Sequence, residues 1–298
     1  MAKTSTTKKD YATTVAERII ELIEAGEALW MKPWKAGELR LPYNAATDKE
    51  YRGMNSLWLA MHGFSDPRWL TFNQAVAAGY KVKKGSSGAL VDYWKFTEER
   101  TKKDENGKSV LGEDGKPVKI TIKLSQPRGF RAVVFNAQQI EGIPDLPVPN
   151  LGIQPVVNVA ADEMIAASGV EIRHVAGNKA FYNPVVDSIT LPLRSQFKGN
   201  GEYYASTFHE LAHSTGHKSR LDRDLTGKFG SETYAKEELR AEIAAMMLAE
   251  KLRTDFLPRN HAGYVQSWIK ALKEDPREIF RAASDADKIK NYLIAVND

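Results

Sequence analysis

The chain has no cysteine, no long apolar run and few histidines, and each shortage narrows what it can be. With 298 residues and Cys 0, it can form no disulfide framework, thiolate metal site or cysteine nucleophile. Any metal must be held by imidazole and carboxylate, and the composition suits a reducing compartment. No apolar run approaches the ~18 residues that a bilayer-spanning helix needs. The polar start, from Met1 to Asp10, lacks the apolar stretch of a secretory signal. A cytoplasmic protein with no membrane partner is therefore expected. Hydrophobic residues at 42% can fill a globular core, and 298 residues exceed one typical core. Two domains are expected.

Charge and tryptophan are unevenly spread. Residues 1–150 hold 23 Lys and Arg against 18 Asp and Glu, whereas the rest holds 19 against 20. Five of the 6 Trp also fall in the first part (30, 34, 58, 69 and 94). The two parts thus have different jobs. Residues 1–10 read as a disordered tail and 11–145 as the first domain. The linker is placed at 146–155, inside the proline-rich run Ile143–Pro155, and 156–298 form the second domain. Apolar spacing predicts a helix from Tyr11 that stops near Gly26, and short helices near Ser56–His62 and Thr71–Gly79. Strands are expected at Tyr80–Lys84, Leu90–Phe96, Val118–Leu124 and Arg131–Asn136. Asn106-Gly107 and Asp114-Gly115 mark an exposed hairpin between them. In the second part, helices are expected at Ala160–Ser168, Tyr203–His217 and Tyr234–Leu252, with a largely helical tail. The fold class is α+β.

The chemistry concentrates in His209-Glu210-Leu211-Ala212-His213. Histidines four apart on a helix project from one face about one turn apart, so both ring nitrogens can reach one divalent ion. Glu210, beside the first of them, is placed to take a proton from metal-bound water, as in the zinc-hydrolase signature. A third ligand must come from elsewhere, and Glu237, Glu238 and Glu242 open the apolar face of a second helix. Carboxylates on such a face need a partner, which a metal supplies. The Glu238 and Glu242 spacing resembles that of thermolysin-like zincins. On that resemblance Glu238 is the expected ligand and Glu242 orients a histidine, with Glu237 the alternative ligand. Zinc is the expected ion, with manganese or another divalent ion as alternatives. His217 follows Gly216 and lies eight residues from His209. That span is too long for one ion on a continuous helix, so His217 is read as structural or supporting. Phe181–Pro184 and Ser188–Leu191 are candidate strands for pairing with a substrate backbone.

The first part interleaves aromatic and basic residues: Trp30, Lys32, Trp34, Lys35, Arg52, Arg68, Trp69, Lys81, Lys83 and Lys84. Cations neutralise phosphates and exposed rings stack on unpaired bases, which suits single-stranded nucleic acid. No helix-turn-helix, zinc-finger or RNA-recognition string is present, so sequence-specific readout is not expected.

Several strings together resemble the ArdC antirestriction family. They are Trp30-Met-Lys-Pro-Trp34, Pro42-Tyr-Asn44, Tyr51-Arg-Gly-Met-Asn55, Arg68-Trp-Leu-Thr-Phe72, Gly79–Gly85 and Phe135–Gln139 with Glu141-Gly142. The segment Tyr203–His217 and Glu237–Glu242 complete the resemblance, which spans roughly residues 10–290. It implies an N-terminal α+β domain that binds single-stranded DNA and a C-terminal gluzincin-like (zincin) metallopeptidase fold. It also implies protection of incoming plasmid DNA from host restriction. A host restriction protein or another protein is the implied peptidase substrate. The alternative is a DNA-binding protein whose zincin half is structural or vestigial.

Overall fold

The computed structural model describes residues 10–112, 114–146, 158–228, 230–259 and 261–296. Apart from Asp10 and Leu146, the expected tail and linker lie outside the described residues. In chain order the elements are α1 (Tyr11–Glu24), β1 (Tyr43–Asn44), β2 (Lys49–Glu50), α2 (Gly53–Ala60), β3 (Arg68–Thr71), α3 (Phe72–Ala77), β4 (Lys81–Val82), β5 (Ala89–Thr101), β6 (Lys119–Asn136) and β7 (Ile140–Glu141). They continue with α4 (Val159–Ala167), β8 (Glu171–Val175), β9 (Phe181–Asn183), β10 (Ser188–Pro192), α5 (Asn200–Ser214), α6 (Glu232–Lys251), α7 (Val265–Glu274) and α8 (Glu278–Ala295). The mixed α+β class is as expected from sequence.

The chain divides into two compact units, with one cut inside the proline-rich run, between Pro144 and Asp145, and a second between Pro67 and Arg68. One unit is Arg68–Pro144; the other joins everything up to Pro67 with everything from Asp145 on. Burial explains why the first 67 residues keep company with the C-terminal half. In that unit α1 packs on α7, α2 on α8, and the single turn Leu29–Met31 on α6. Val15, Ile19 and Ile23 of α1 share one core with Phe208, Met247, Trp268 and Ile289. Gly53 begins α2 at φ +52, and a Cβ there would lie 3.6 Å from the Ser284 backbone of α8. The left-handed start favours glycine, while the contact with α8 is of ordinary van der Waals length. Trp34 exchanges backbone hydrogen bonds of 2.9 and 2.8 Å with Phe256, while the Ala36 amide donates to Asp255 at 2.9 Å. The Trp-Met-Lys-Pro-Trp string is thus a clasp within this unit.

In the same unit β10 runs between β8, parallel to it, and β9, antiparallel to it. β9 is therefore an edge strand and β10 is not. Among the described residues, of the two candidate substrate-pairing strands only Phe181–Asn183 has an open edge; Ser188–Thr190 is paired on both sides, so its backbone groups are already used. Helix α6 is Ala-rich and buried nearly all round, and Ser231 caps it by accepting from the Tyr234 amide at 3.2 Å.

The other unit is a β3–β6–β5 sheet with α3 beside it. α3 is opened by a Thr71/Gln74 capping box, and β4 pairs with β7. β5 and β6 form a long antiparallel ribbon, with a register shift between Lys95 and Thr97. The sequence expectation of two strands at Val118–Leu124 and Arg131–Asn136 is corrected: β6 is one strand. Pro127 falls in the bulge, where no ladder donor is needed, and Gly129 leaves room for Trp94, whose ring would be 3.2 Å from a Cβ there. The exposed turns at Gly107 (φ 77) and Gly115 (φ 75) join the two strands.

Candidate metal centre

Helix α5 carries His209, Glu210 and His213 into the core, where they face Glu237, Glu238 and Glu242 of α6. The two histidines turn their Nε2 atoms toward each other at 3.0 Å. Both Nε2 atoms meet the carboxylate of Glu238, at 3.5 Å from His209 and 3.4 Å from His213. Three donors at ~2.1 Å from one ion in tetrahedral array are separated by roughly 3.3 Å from each other. The observed triangle has that size, and His209, His213 and Glu238 together are a group that could hold a metal ion.

The outer nitrogens meet carboxylates as well. Glu242 Oε1 lies 3.1 Å from His209 Nδ1, though off the line of a well-aligned hydrogen bond. Glu237 Oε1 lies 3.4 Å from His213 Nδ1. A carboxylate behind each imidazole fixes its orientation and raises its basicity, the usual support of a metal-binding histidine. Glu237 is held in turn by Arg223, whose Nη2 and Nε donate at 2.7 and 3.2 Å. Arg223 also donates to Thr215 Oγ1 and the Ala212 carbonyl, at 2.7 and 2.8 Å. It reaches there because α5 stops at Ser214 and the chain doubles back, with the Arg223 amide bonded to the Gly216 carbonyl. A Cβ at Gly216 would lie 2.8 Å from the end of the Leu225 side chain and 3.1 Å from the His213 carbonyl, so a larger residue there would have to displace Leu225.

The surrounding carboxylates favour positive charge at the two imidazoles. Burial alone would lower both imidazoles. Glu242 and Glu238 instead raise His209 to about 9, and Glu237 and Glu238 raise His213 to about 10. Burial would raise Glu238, but the two imidazoles hold it well below the usual carboxylate range. Burial and the neighbouring Tyr264 and Glu238 push the Tyr234 phenol far up, so it stays a neutral donor. Protons therefore occupy the positions that a divalent ion would displace.

Glu210 is buried, with its Oε1 2.8 Å from Arg259 Nη2. His261 is also buried, its Nδ1 3.5 Å from Glu242 and both ring nitrogens without a hydrogen-bond partner. Sequence reasoning missed Arg223, Arg259 and His261, since no fixed spacing ties them to the histidine pair. The scarcity of histidine, 6 in the whole chain, was the one available signal for His261. His217 joins no member of the cluster; its Nδ1 is 2.7 Å from Ser219 Oγ in the turn after α5.

The aromatic and basic candidates are scattered. Trp30 and Trp69 are wholly buried, at 0% and 1% exposure, so neither ring is available to stack. Trp34 is half-buried, donates to the Leu29 carbonyl at 2.8 Å, and has Lys32 5.5 Å above its ring. Lys35 is 3.5 Å from Asp255, and Arg52 is exposed. In the other unit, Arg68 donates to the Pro144 carbonyl and Lys83 to that of Gln138, each at 2.8 Å, and Lys81 and Lys84 are exposed. Trp94 is one of the five tryptophans of the first part, whereas no sequence signal singled out its ribbon neighbours Tyr93, Phe96 and Phe130. Tyr93, Trp94, Phe96 and Phe130 are 43%, 61%, 60% and 37% exposed.

Comparison with solved structures settles the family. The metal-free crystal structure of the antirestriction ArdC protein of plasmid R388 superposes with a TM-score of 0.73 at 36% identity, covering 97% of this chain and 98% of that one. The chain belongs to the ArdC antirestriction family. The Mn(II)-bound crystal structure of that protein matches equally, with a TM-score of 0.73 at 34% identity and the same coverage. Family profiles match two parts of the chain. The N-terminal domain of anti-restriction factor ArdC matches residues 9–127, and a zincin-like metallopeptidase matches residues 159–285. The uncharacterised protein y4eC of Sinorhizobium fredii is 36% identical over 98% of this chain and 94% of its own length. Two DNA primases named TraC, from Escherichia coli, are 52% and 51% identical over 97% of the chain. The chain spans only 27% and 20% of those primases. A zincin-like domain with a buried two-histidine, one-carboxylate cluster is a site for a divalent metal.

Proposed function

We propose that this chain is an antirestriction protein of the ArdC type, which binds single-stranded DNA and carries a metal-dependent peptidase site. The observation that carries the reading is the His209, His213 and Glu238 triangle inside a fold shared over nearly its whole length with an antirestriction protein. Zinc or manganese is the proposed ion, since two imidazoles and one carboxylate suit either. The ArdC protein of R388 takes Mn(II).

A divalent ion bound there polarises a peptide carbonyl and makes a nearby water acidic. Glu210 takes the proton of that water and passes it to the leaving amine. Glu242 and Glu237 hold the two imidazoles in the tautomer that directs Nε2 inward. Tyr234 offers a phenol that stays protonated. The open edge of β9 gives a substrate backbone a strand to pair with.

DNA binding is assigned to the β5–β6 ribbon. Tyr93 stacks on Phe130 at 5.3 Å, and Lys95 lies 5.1 Å above the Phe130 ring. Arg128 and Arg131 are exposed on the paired strand. Exposed rings among cations stack on unpaired bases and neutralise phosphates, with no base-specific code. Two relatives are named DNA primases, so the same design occurs inside proteins that work on DNA. The test is binding of a fluorescent oligothymidine. Trp94→Ala with Phe96→Ala should weaken binding at least tenfold while a duplex control changes little. Equal affinity of the variant and the parent sinks the ribbon assignment.

A purely DNA-binding protein with a structural zincin half is favoured by one observation, the engagement of Glu210 by Arg259. Glu210→Ala separates the two readings: restriction protection that survives intact means that catalysis is not the mechanism. A nuclease is disfavoured, because such chemistry usually pairs two metals and one candidate cluster is found among the described residues. The cytoplasm is the proposed location. Among the described residues no helix is long and apolar enough to cross a membrane.

A further inference from the structure

The geometry points to Arg259 as the residue through which the metal centre recognises a substrate carboxylate. Arg259 lies on the segment after α6, with its Nη2 2.8 Å from Glu210 Oε1. The Glu210 side chain is 3% exposed and that of Arg259 33%. The Arg259 side chain therefore joins a buried carboxylate while part of it stays open to solvent.

Charge and hydrogen-bond capacity say what the exposed part would take. A guanidinium has five donors in a planar fork, and fork-to-carboxylate pairing is its strongest geometry. Among the described residues Arg259 has one ion-pair partner, through a single Glu210 oxygen. The neighbouring arginines are spent differently. Arg223 is 12% exposed and bound to Glu237, Thr215 and Ala212; Arg220 is 11% exposed and bound to Asp187 and Ser214. A carboxylate arriving from solvent would meet the exposed part of Arg259 and loosen its hold on Glu210. The proton acceptor would then be freed when a suitable substrate is in place. Since Arg259 touches Glu210, the recognised carboxylate belongs to a residue next to the bond being attacked. It is either an acidic side chain or the chain end.

This inference rests on the peptide-site reading above. The test is calorimetric binding of three N-acetylated tripeptides to the full chain, with and without Mn(II). They are trialanine with a free C-terminal carboxylate, trialanine amide, and alanyl-glutamyl-alanine amide. The unmodified protein should bind at least one of the two carboxylate peptides about tenfold more tightly than the neutral amide. Whichever one wins identifies the source of the carboxylate. Arg259→Ala should abolish the preference and Arg259→Lys should reduce it severalfold, with an unchanged circular dichroism spectrum and thermal midpoint reporting an intact fold in both. Equal binding of all three peptides, or a preference that survives Arg259→Ala, overturns the role of Arg259 and leaves the peptide site standing. No binding of any peptide overturns both.

Discussion

Replacing Glu237 by Gln tests whether it orients His213 or binds the metal itself. Glu237 is 7% exposed, 3.4 Å from His213 Nδ1, and doubly paired with Arg223. The glutamine oxygen can still accept from both neighbours, so the geometry should survive while the charge is lost. Removing a carboxylate behind a metal-binding imidazole costs about 10- to 100-fold in metal affinity, or about 1.4–2.7 kcal/mol. Weakening a charge-assisted pair to a buried arginine adds a stability loss of roughly 1.5–3 kcal/mol. A ligand such as Glu238 should cost far more affinity when replaced by Gln, about 1,000-fold or beyond. The assay is Mn(II) and Zn(II) titration against a competing chelator for Glu237→Gln, Glu238→Gln and Glu242→Gln. Metal binding abolished in Glu237→Gln but retained in Glu238→Gln would refute the assignment.

The remaining predictions concern pH and packing. In the metal-free chain the raised His209 and His213 pKa values, about 9 and about 10, contribute stability that is full below about pH 6.5 and lost as pH rises through 9 and 10. The lowered carboxyls of Glu237, Glu238 and Glu242 contribute stability that is present above about pH 4.5 and lost as pH falls. Metal-free Tm should therefore peak between about pH 4.5 and 6.5, and the Tm increase from added Mn(II) should grow between pH 6 and 9; an increase that shrinks contradicts this. Trp30→Ala, at a wholly buried ring, should cost about 3–5 kcal/mol in urea unfolding with unchanged oligothymidine affinity once folded. A loss of DNA binding without a loss of stability would reinstate Trp30 as a stacking platform. Gly53→Ala, at φ +52 and 3.6 Å from the Ser284 backbone, should cost about 1–2 kcal/mol, and an unchanged midpoint would contradict the conformational role of the glycine.

The parts of this molecule that were legible in its sequence are those set by local spacing. His209 and His213 are four apart, so any helix there puts both on one face, and α5 and α6 lie within a few residues of the apolar patterns that announced them. The choice among Glu237, Glu238 and Glu242 was harder, because α6 is buried nearly all round and its apolar pattern has no single phase. Only the partner helix decides that Glu238 faces both Nε2 atoms while Glu237 and Glu242 face the Nδ1 atoms. Tryptophan was ambiguous for a different reason. The ring serves core and platform equally well, and the motif tryptophans Trp30 and Trp69 are core while Trp94 is open to solvent. Arg223 and Arg259 come from loops whose path is set by tertiary contacts, so no sequence interval points to them. The clasp between Trp34 and Phe256 is likewise a pairing across more than 200 residues, invisible to any local pattern.

The most direct test of the account is the number of divalent ions held per chain. Purified protein loaded with Mn(II) or Zn(II), freed of excess metal and assayed by inductively coupled plasma mass spectrometry, should carry one ion. Glu238→Ala and His213→Ala should carry essentially none, with circular dichroism matching the unmodified protein. An ion retained at full content in Glu238→Ala would mean that the triangle of His209, His213 and Glu238 is not the metal site.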